Sequence, residues 1–95
     1  MAKRWTAEDD LTLLDYHGGV PSPTLGDDLG RSAASVDARV RFLKASGAWR
    51  LYAEAQAMRI EAEIAAGLCR SDEQQMIWED RLAFYGEVSG RKAAA

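Results

Sequence analysis

The sequence predicts an all-α protein of five helices. In the first half, glycine and proline recur at Gly18-Gly19, Pro21, Gly30 and Gly47, which leaves room for three short helices. Residues 48–66 contain neither glycine nor proline and are rich in alanine, as expected of one long helix. Apolar residues recur at i, i+4 and i+7 instead of alternating, which favours helices over strands.

The first helix is predicted over residues 7–17. Thr6 has the side chain of an N-cap, and its hydroxyl can accept a hydrogen bond from the amide of Asp9. Glu8, Asp9 and Asp10 are acidic and would lie at the positive end of the helix dipole. Gly18-Gly19 ends the helix after His17.

A helix-turn-helix is predicted over residues 23–45. Ser22 is the expected N-cap of a short helix over 23–29, with Pro23 at the first helical position. Gly30 is the turn, and Ser32 caps a third helix that continues to about residue 45. The spacing predicts a buried face on that helix, formed by Val36, Val40 and Leu43.

The residues around these caps resemble a known family. Trp5-Thr6-Ala7-Glu8-Asp9-Asp10 is similar to the opening of a Myb/SANT-type domain, and Gly30-Arg31-Ser32 is similar to the start of that family's third helix. The resemblance covers about residues 4–46 and fits the homeodomain-like, bacterial or phage type of tri-helical domain. Leu25 and Val40 stand near the places of two family tryptophans, and Gly26 stands where a larger residue is usual. The resemblance implies that the third helix binds the major groove of DNA.

The charge distribution agrees with a small DNA contact. Residues 31–44 hold four basic residues and one acidic residue, a net +3, so the rest of a chain with net charge −3 carries −6. Arg41 is the best candidate for a base contact, because its guanidinium can bond guanine O6 and N7. Arg39 and Lys44 are predicted to contact phosphate, and Lys3 and Arg4 to form a basic arm. The full predicted DNA-binding set is Lys3, Arg4, Arg31, Ser32, Ala34, Ser35, Ala38, Arg39, Arg41 and Lys44.

Two further helices are predicted in the second half. The helix that starts at Ala48 has two apolar stripes on nearly opposite sides, so it should pack against two partners. Ser71 and Gln74 form the pattern of a capping box for a helix that continues to about Val88, and the short link predicts an antiparallel hairpin. The stripes are Trp49, Ala53, Ala57, Ile60 and Ile64 on one side, and Leu51, Ala55, Met58, Ala62 and Ala65 on the other.

The unsatisfied apolar surface of this hairpin predicts a homo-oligomer, most simply a dimer. Large apolar side chains of both helices are the candidates for the interface, although such side chains can also form the hairpin's own core. The predicted interface residues are Trp49, Leu51, Met58, Ile60, Ile64, Trp78, Leu82 and Tyr85.

The sequence gives little support for catalysis. His17 is the only histidine and Cys69 the only cysteine, so together they cannot supply a metal cluster or a disulfide, and we expect no cofactor. There is no glycine-rich phosphate loop and no apolar run of membrane-spanning length. The unpaired cysteine and the absence of a signal-peptide pattern predict a cytoplasmic protein.

We therefore expect a helix-turn-helix domain over residues 1–46 and an oligomerisation hairpin over 47–90, with residues 91–95 as a tail that could derive from a vector. The predicted function is non-enzymatic binding of double-stranded DNA, as a small transcriptional regulator or a DNA-packaging adaptor. Phage small-terminase subunits are similar in plan. The alternative is a protein–protein adaptor or inhibitor that uses the acidic surface and the free apolar stripe.

Overall fold

A computed structural model of the chain describes residues 4–90. These residues form five helices and no strand, so the predicted all-α class is confirmed. They divide into two compact units whose boundary falls between Ala48 and Trp49. No helix among them is long and apolar enough to cross a membrane. The helices are α1 (Ala7–Tyr16), α2 (Ser22–Leu29), α3 (Ala33–Ser46), α4 (Ala48–Ala65) and α5 (Asp72–Ser89).

The start of α1 is fixed by the predicted cap. The Thr6 hydroxyl accepts a hydrogen bond from the Asp9 amide at 3.1 Å, and the Asp9 carboxylate accepts one from the Thr6 amide at 3.1 Å. This reciprocal pair satisfies two amides that a helix start leaves without intrahelical partners. The helix ends at His17, whose amide donates to the Leu13 carbonyl.

The start of α2 differs from the prediction. The helix begins at Ser22 itself, with Pro21 before it and no side-chain cap. The predicted N-cap role of Ser22 is therefore wrong, and the reason is a competing partner: its hydroxyl donates to the carboxylate of Asp37 on α3.

The turn between α2 and α3 closes tightly. Gly30 has the left-handed backbone conformation (φ 68°), which glycine adopts without the steric cost of a Cβ. The Arg31 amide then donates to the Gly26 carbonyl at 2.7 Å. The Ser32 hydroxyl accepts from the Ser35 amide at 3.1 Å, so the predicted cap of α3 is confirmed.

The core of the first unit comes from all three helices. Each of its members is at most 3% exposed, and burial of one such side chain stabilises the fold by about 1.5–3 kcal/mol. The predicted inward face of α3 is confirmed, because Val36, Val40 and Leu43 all belong to this core. The remaining members are Leu13 and Leu14 of α1 and Leu25 of α2.

In the second unit, α4 and α5 run antiparallel. Arg50, near the start of α4, donates two hydrogen bonds, at 3.3 and 3.1 Å, to the carbonyl of Ser89 at the end of α5. Ala53, Ala57 and Ile60 of α4 are buried, as is Tyr85 of α5. Three of the five members of one predicted stripe of α4 are therefore buried, whereas Ile64 at its far end is 40% exposed.

The predicted cap of α5 is present with one change. The Ser71 hydroxyl accepts from the Gln74 amide at 3.1 Å. The Gln74 side chain accepts from the amide of Arg70 at 2.9 Å, one residue before the amide that a capping box uses.

Candidate nucleic-acid interface

The α3 helix has a second face opposite its buried one. Its exposed residues include Ala34, Asp37, Ala38, Arg41 and Lys44, and we call these five the outer face of α3. Ala34 and Ala38 are one helical turn apart and short, so a partner can approach the backbone closely at this point. Arg41 lies one turn after Ala38, and its exposed side chain can contact the same partner.

Arg39 does not belong to this outer face. Its Nε and Nη2 atoms donate to the two carboxylate oxygens of Asp10 on α1, each at 2.9 Å. Asp10 is 2% exposed, so the paired charges lie at the edge of the core. The Arg39 side chain, expected to face solvent, instead pairs with Asp10, because a buried carboxylate needs a charged, hydrogen-bonded partner. Its contact with phosphate stays a prediction.

Arg31 is also held inside the first unit. Its side chain is 7% exposed, and its guanidinium carbon lies 3.8 Å from the ring centroid of Trp5. The same guanidinium donates to the Arg4 carbonyl at 2.9 Å and lies 3.6 Å from the Asp9 carboxylate. Arg31 therefore has a structural role in the first unit, and its predicted DNA contact stays a prediction.

These contacts give a physical reason for the two sequence motifs to occur together. The Trp5 ring meets the guanidinium of Arg31 at 3.8 Å and that of Arg39 at 5.6 Å, both favourable cation–π geometries. The acidic first turn of α1 supplies Asp9 and Asp10 to the same two arginines. We call Trp5, Asp9, Asp10, Arg31 and Arg39 the arginine–tryptophan cluster.

The remaining predicted DNA-binding residues are distributed around the start of α3. Ser32 is exposed but already caps the helix, and Ser35 is half-buried. Arg4 is exposed, and its carbonyl is held by Arg31. Lys3 lies outside the described residues. The outer face therefore depends mainly on Arg41 and Lys44 for positive charge.

Asp37 joins the three helices of the first unit, a role that the sequence did not predict. Its carboxylate accepts from the Ser22 hydroxyl of α2 and lies 3.5 Å from Nε2 of His17, at the end of α1. The hydrogen bond from Ser22 lowers the pKa of Asp37 most, with smaller contributions in the same direction from His17 and Arg41 against the effect of desolvation. The only sequence signal was an acidic residue at an outward position of a basic helix.

An open depression lies along this part of the first unit. It is lined by His17, Ala34, Asp37, Val40, Arg41 and Lys44. It combines donors from arginine and lysine, a carboxylate acceptor and two small apolar side chains, which are the groups that read base edges. No group of three potential metal ligands occurs among residues 4–90.

The predicted interface residues of the second unit fall into three groups. Ile60 and Tyr85 are only 3% exposed within the single chain, so they offer little surface to a second copy, and their place in an oligomer interface stays a prediction. Trp49, Trp78 and Leu82 are half-buried. Leu51, Met58 and Ile64 are 67%, 57% and 40% exposed.

The fold is all-α, with three helices in the first unit and two antiparallel helices in the second. Comparison with known protein families, with curated proteins and with solved structures finds no match to the chain. The resemblance to Myb/SANT-type domains stays a prediction.

Proposed function

We propose that the chain is a DNA-binding protein that places the outer face of α3 in the major groove. The observation that carries the proposal is the geometry of this face: Ala34 and Ala38 permit close approach, and Arg41 follows on the same side. The major groove is about 12 Å wide and accepts one α-helix. Arg41 is the proposed base contact, with a guanine as its preferred partner.

The acidic group on the same face suggests a second contact. Asp37 lies one turn before Arg41, and a carboxylate can accept a hydrogen bond from cytosine N4. Asp37 is also repelled by phosphate, so it favours a docking in which the start of α3 points at bases. Lys44, one turn later than Arg41 in sequence, is the proposed phosphate contact.

This contact is small, because Arg31 and Arg39 are committed to the arginine–tryptophan cluster. With two or three phosphates neutralised, the logarithm of affinity should fall with the logarithm of salt concentration with a slope of about −2 to −3. A DNA-binding protein with so few contacts gains affinity when two linked copies bind sites about one helical turn apart. We propose the role of a transcriptional regulator or DNA-packaging adaptor in the cytoplasm.

The proposal is tested by binding to duplex DNA selected from a random pool, measured by fluorescence anisotropy at about 50 and about 200 mM salt. Arg41→Ala should weaken binding to the selected duplex by about tenfold and reduce its preference over random duplex. Lys44→Ala should weaken binding to both duplexes alike. It should also reduce, by about one, the magnitude of the slope of log affinity against log salt concentration.

Arg70→Ala is the matched control. Arg70 is exposed, belongs to the second unit and loses the same single charge when replaced. The proposal predicts near wild-type affinity for this variant. Equal losses for Arg41→Ala and Arg70→Ala, or no binding by the wild type at low salt, would contradict it.

A protein-binding adaptor is the second candidate, and one observation favours it. Leu51 and Met58 of α4 are 67% and 57% exposed on one side of the hairpin. An adaptor that uses this surface would be insensitive to Arg41→Ala and would fail to bind DNA. Loss of partner capture by Leu51→Glu, with no DNA binding at low salt, would support it.

A further inference from the structure

The α4 helix keeps one of its two predicted stripes outside the hairpin core. All five members of this stripe are exposed, and Leu51 and Met58 are the largest. They lie on the side of α4 opposite the buried Ala53, Ala57 and Ile60. The members are Leu51, Ala55, Met58, Ala62 and Ala65, which we call the exposed stripe of α4.

The spacing of the exposed stripe is 4, 3, 4 and 3 residues, which is the a/d spacing of a coiled coil. In that register Leu51, Met58 and Ala65 take d positions, and Ala55 and Ala62 take a positions. An α-helix with this spacing presents a narrow seam to one partner helix.

The charges that flank the seam are opposite on its two sides. Glu54 and Glu61 take g positions on one side, and Arg59 takes an e position on the other. Arg59 is 54% exposed in its side chain and also bonds Glu63 at 3.0 Å and Gln56 at 2.9 Å on its own helix. Residues at e and g decide the partner and the orientation of a coiled coil.

We propose that the exposed stripe of α4 pairs with the same stripe of a second copy of this chain, with the two α4 helices parallel. In a parallel pair, a residue at g faces the e residue five positions later on the partner. Glu54 of each copy then faces Arg59 of the other, and the two-fold symmetry makes this contact twice.

The antiparallel pair is disfavoured by the same charges. In an antiparallel seam each a position lies opposite a d position of the partner, so Leu51 lies opposite Ala62 and Ala55 opposite Met58, with g beside g and e beside e. Glu54 then faces Glu61 of the partner, and Arg59 lies beside Tyr52 instead of a carboxylate. Like charges in such positions destabilise the antiparallel pair, so the charged residues at e and g favour the parallel arrangement.

This pairing stands apart from the proposed DNA binding, because it depends on residues of the second unit alone. It also has a consequence for that function. The α3 helix ends at Gly47 and α4 begins at Ala48, so parallel α4 helices attach both helix-turn-helix units at the same end of the seam.

Disulfide trapping tests the orientation directly. In a Cys69→Ser background, Leu51→Cys places one thiol at a d position, where two parallel helices bring their Cα atoms within the range a disulfide spans. We expect the oxidised Leu51→Cys chain to form a covalent dimer with itself. A mixture of Leu51→Cys and Ala62→Cys chains that yields mainly the mixed dimer would overturn the parallel arrangement.

Sedimentation equilibrium of the unmodified chain from micromolar to millimolar concentration tests the pairing itself. Arg59→Glu should raise the dimer dissociation constant by about tenfold, since two attractive contacts become repulsive. Glu54→Arg/Arg59→Glu should restore it, because the opposite charges are exchanged.

Glu61→Arg is the matched control. In the parallel pair Glu61 faces Ala66, so this substitution should change the dimer dissociation constant little. Tighter association of Glu61→Arg would indicate the antiparallel pair and overturn the proposal. A chain that stays monomeric at millimolar concentration and forms no disulfide dimer would overturn it as well.

Discussion

At the scale of single residues, the arginine–tryptophan cluster explains how a carboxylate is tolerated in a small core. Asp10 is almost fully buried, and an unpaired ionised carboxylate there would be strongly unfavourable. The two hydrogen bonds from Arg39 supply the counter-charge in bidentate geometry. The face of Trp5 covers the same guanidinium and that of Arg31.

Arg39→Ala should therefore destabilise the first unit by about 3 kcal/mol, because it leaves the Asp10 carboxylate buried without its main donor. Arg41→Ala, two residues away on the outer face, should change stability by less than about 0.5 kcal/mol. Urea unfolding followed by circular dichroism measures both.

The double variant Asp10→Ala/Arg39→Ala completes a thermodynamic cycle for this pair. We expect it to be less destabilised than the sum of the single variants by about 1 kcal/mol or more. Strict additivity would show that the ion pair does not couple the two helices.

Asp37 makes the folding stability of the first unit depend on pH. Folding lowers its pKa from the ordinary value of 3.8, chiefly through the hydrogen bond from Ser22. The ionised carboxylate therefore stabilises the fold at pH values above 3.8, and this stabilisation is lost as the pH falls through the lower pKa of the folded state.

Asp37→Asn should lower the melting temperature near neutral pH, and the gap from the wild type should close below pH 3.8. Thermal unfolding at a series of pH values measures this gap. Ser22→Ala is the control, because removing the main cause should raise the pKa of Asp37 in carboxyl NMR titrations. A gap that stays constant with pH would contradict the assignment.

At the scale of elements, Gly26 sets how closely α2 approaches the entry to α3. A Cβ added at this buried position would overlap the carbonyl oxygen of Arg31, which is backbone and cannot turn away. This accounts for the glycine that distinguishes the chain from the family it resembles.

Gly26→Ala should destabilise the first unit by about 1–3 kcal/mol, as overpacking does elsewhere. Gly19→Ala is the matched control, because no heavy atom lies within 4 Å of its added Cβ and its φ is not positive. We expect the control to unfold at nearly the wild-type urea concentration. Equal losses of stability for Gly26→Ala and Gly19→Ala would contradict the close approach of Gly26 to the Arg31 carbonyl.

The helix ends were predictable because their signals are local. Thr6, Ser32 and Ser71 bond amides three residues later, within the reach of a sequence pattern. Ser22 was misassigned because its partner, Asp37, lies 15 residues away. Propensity at a cap does not anticipate a tertiary partner that competes for the same hydroxyl.

Which arginine of α3 points inward and which points outward likewise depends on a residue far away in the sequence. Arg39 follows Val36 by three residues and precedes Leu43 by four, so it borders the buried face. A charged residue at such a border can turn outward or inward. The choice depends on Asp10, which lies 29 residues earlier in the chain.

At the scale of the whole molecule, the two stripes of α4 were predictable from periodicity, but their uses were not. The sequence predicted that one stripe would pack in the hairpin, and the structure shows that it is the stripe with Ala53, Ala57 and Ile60. Ile60 and Tyr85 were assigned to an oligomer interface because large apolar side chains fit either role.

The proposed binding of DNA by the outer face of α3 can be observed residue by residue. The direct measurement is a titration of the ¹⁵N-labelled chain with duplex DNA, followed by amide chemical shifts. If this face binds DNA, the largest shifts cluster at Ala34, Ala38 and Arg41, and they vanish as salt is raised. Unchanged amides along α3, or shifts confined to the exposed stripe of α4, would contradict it.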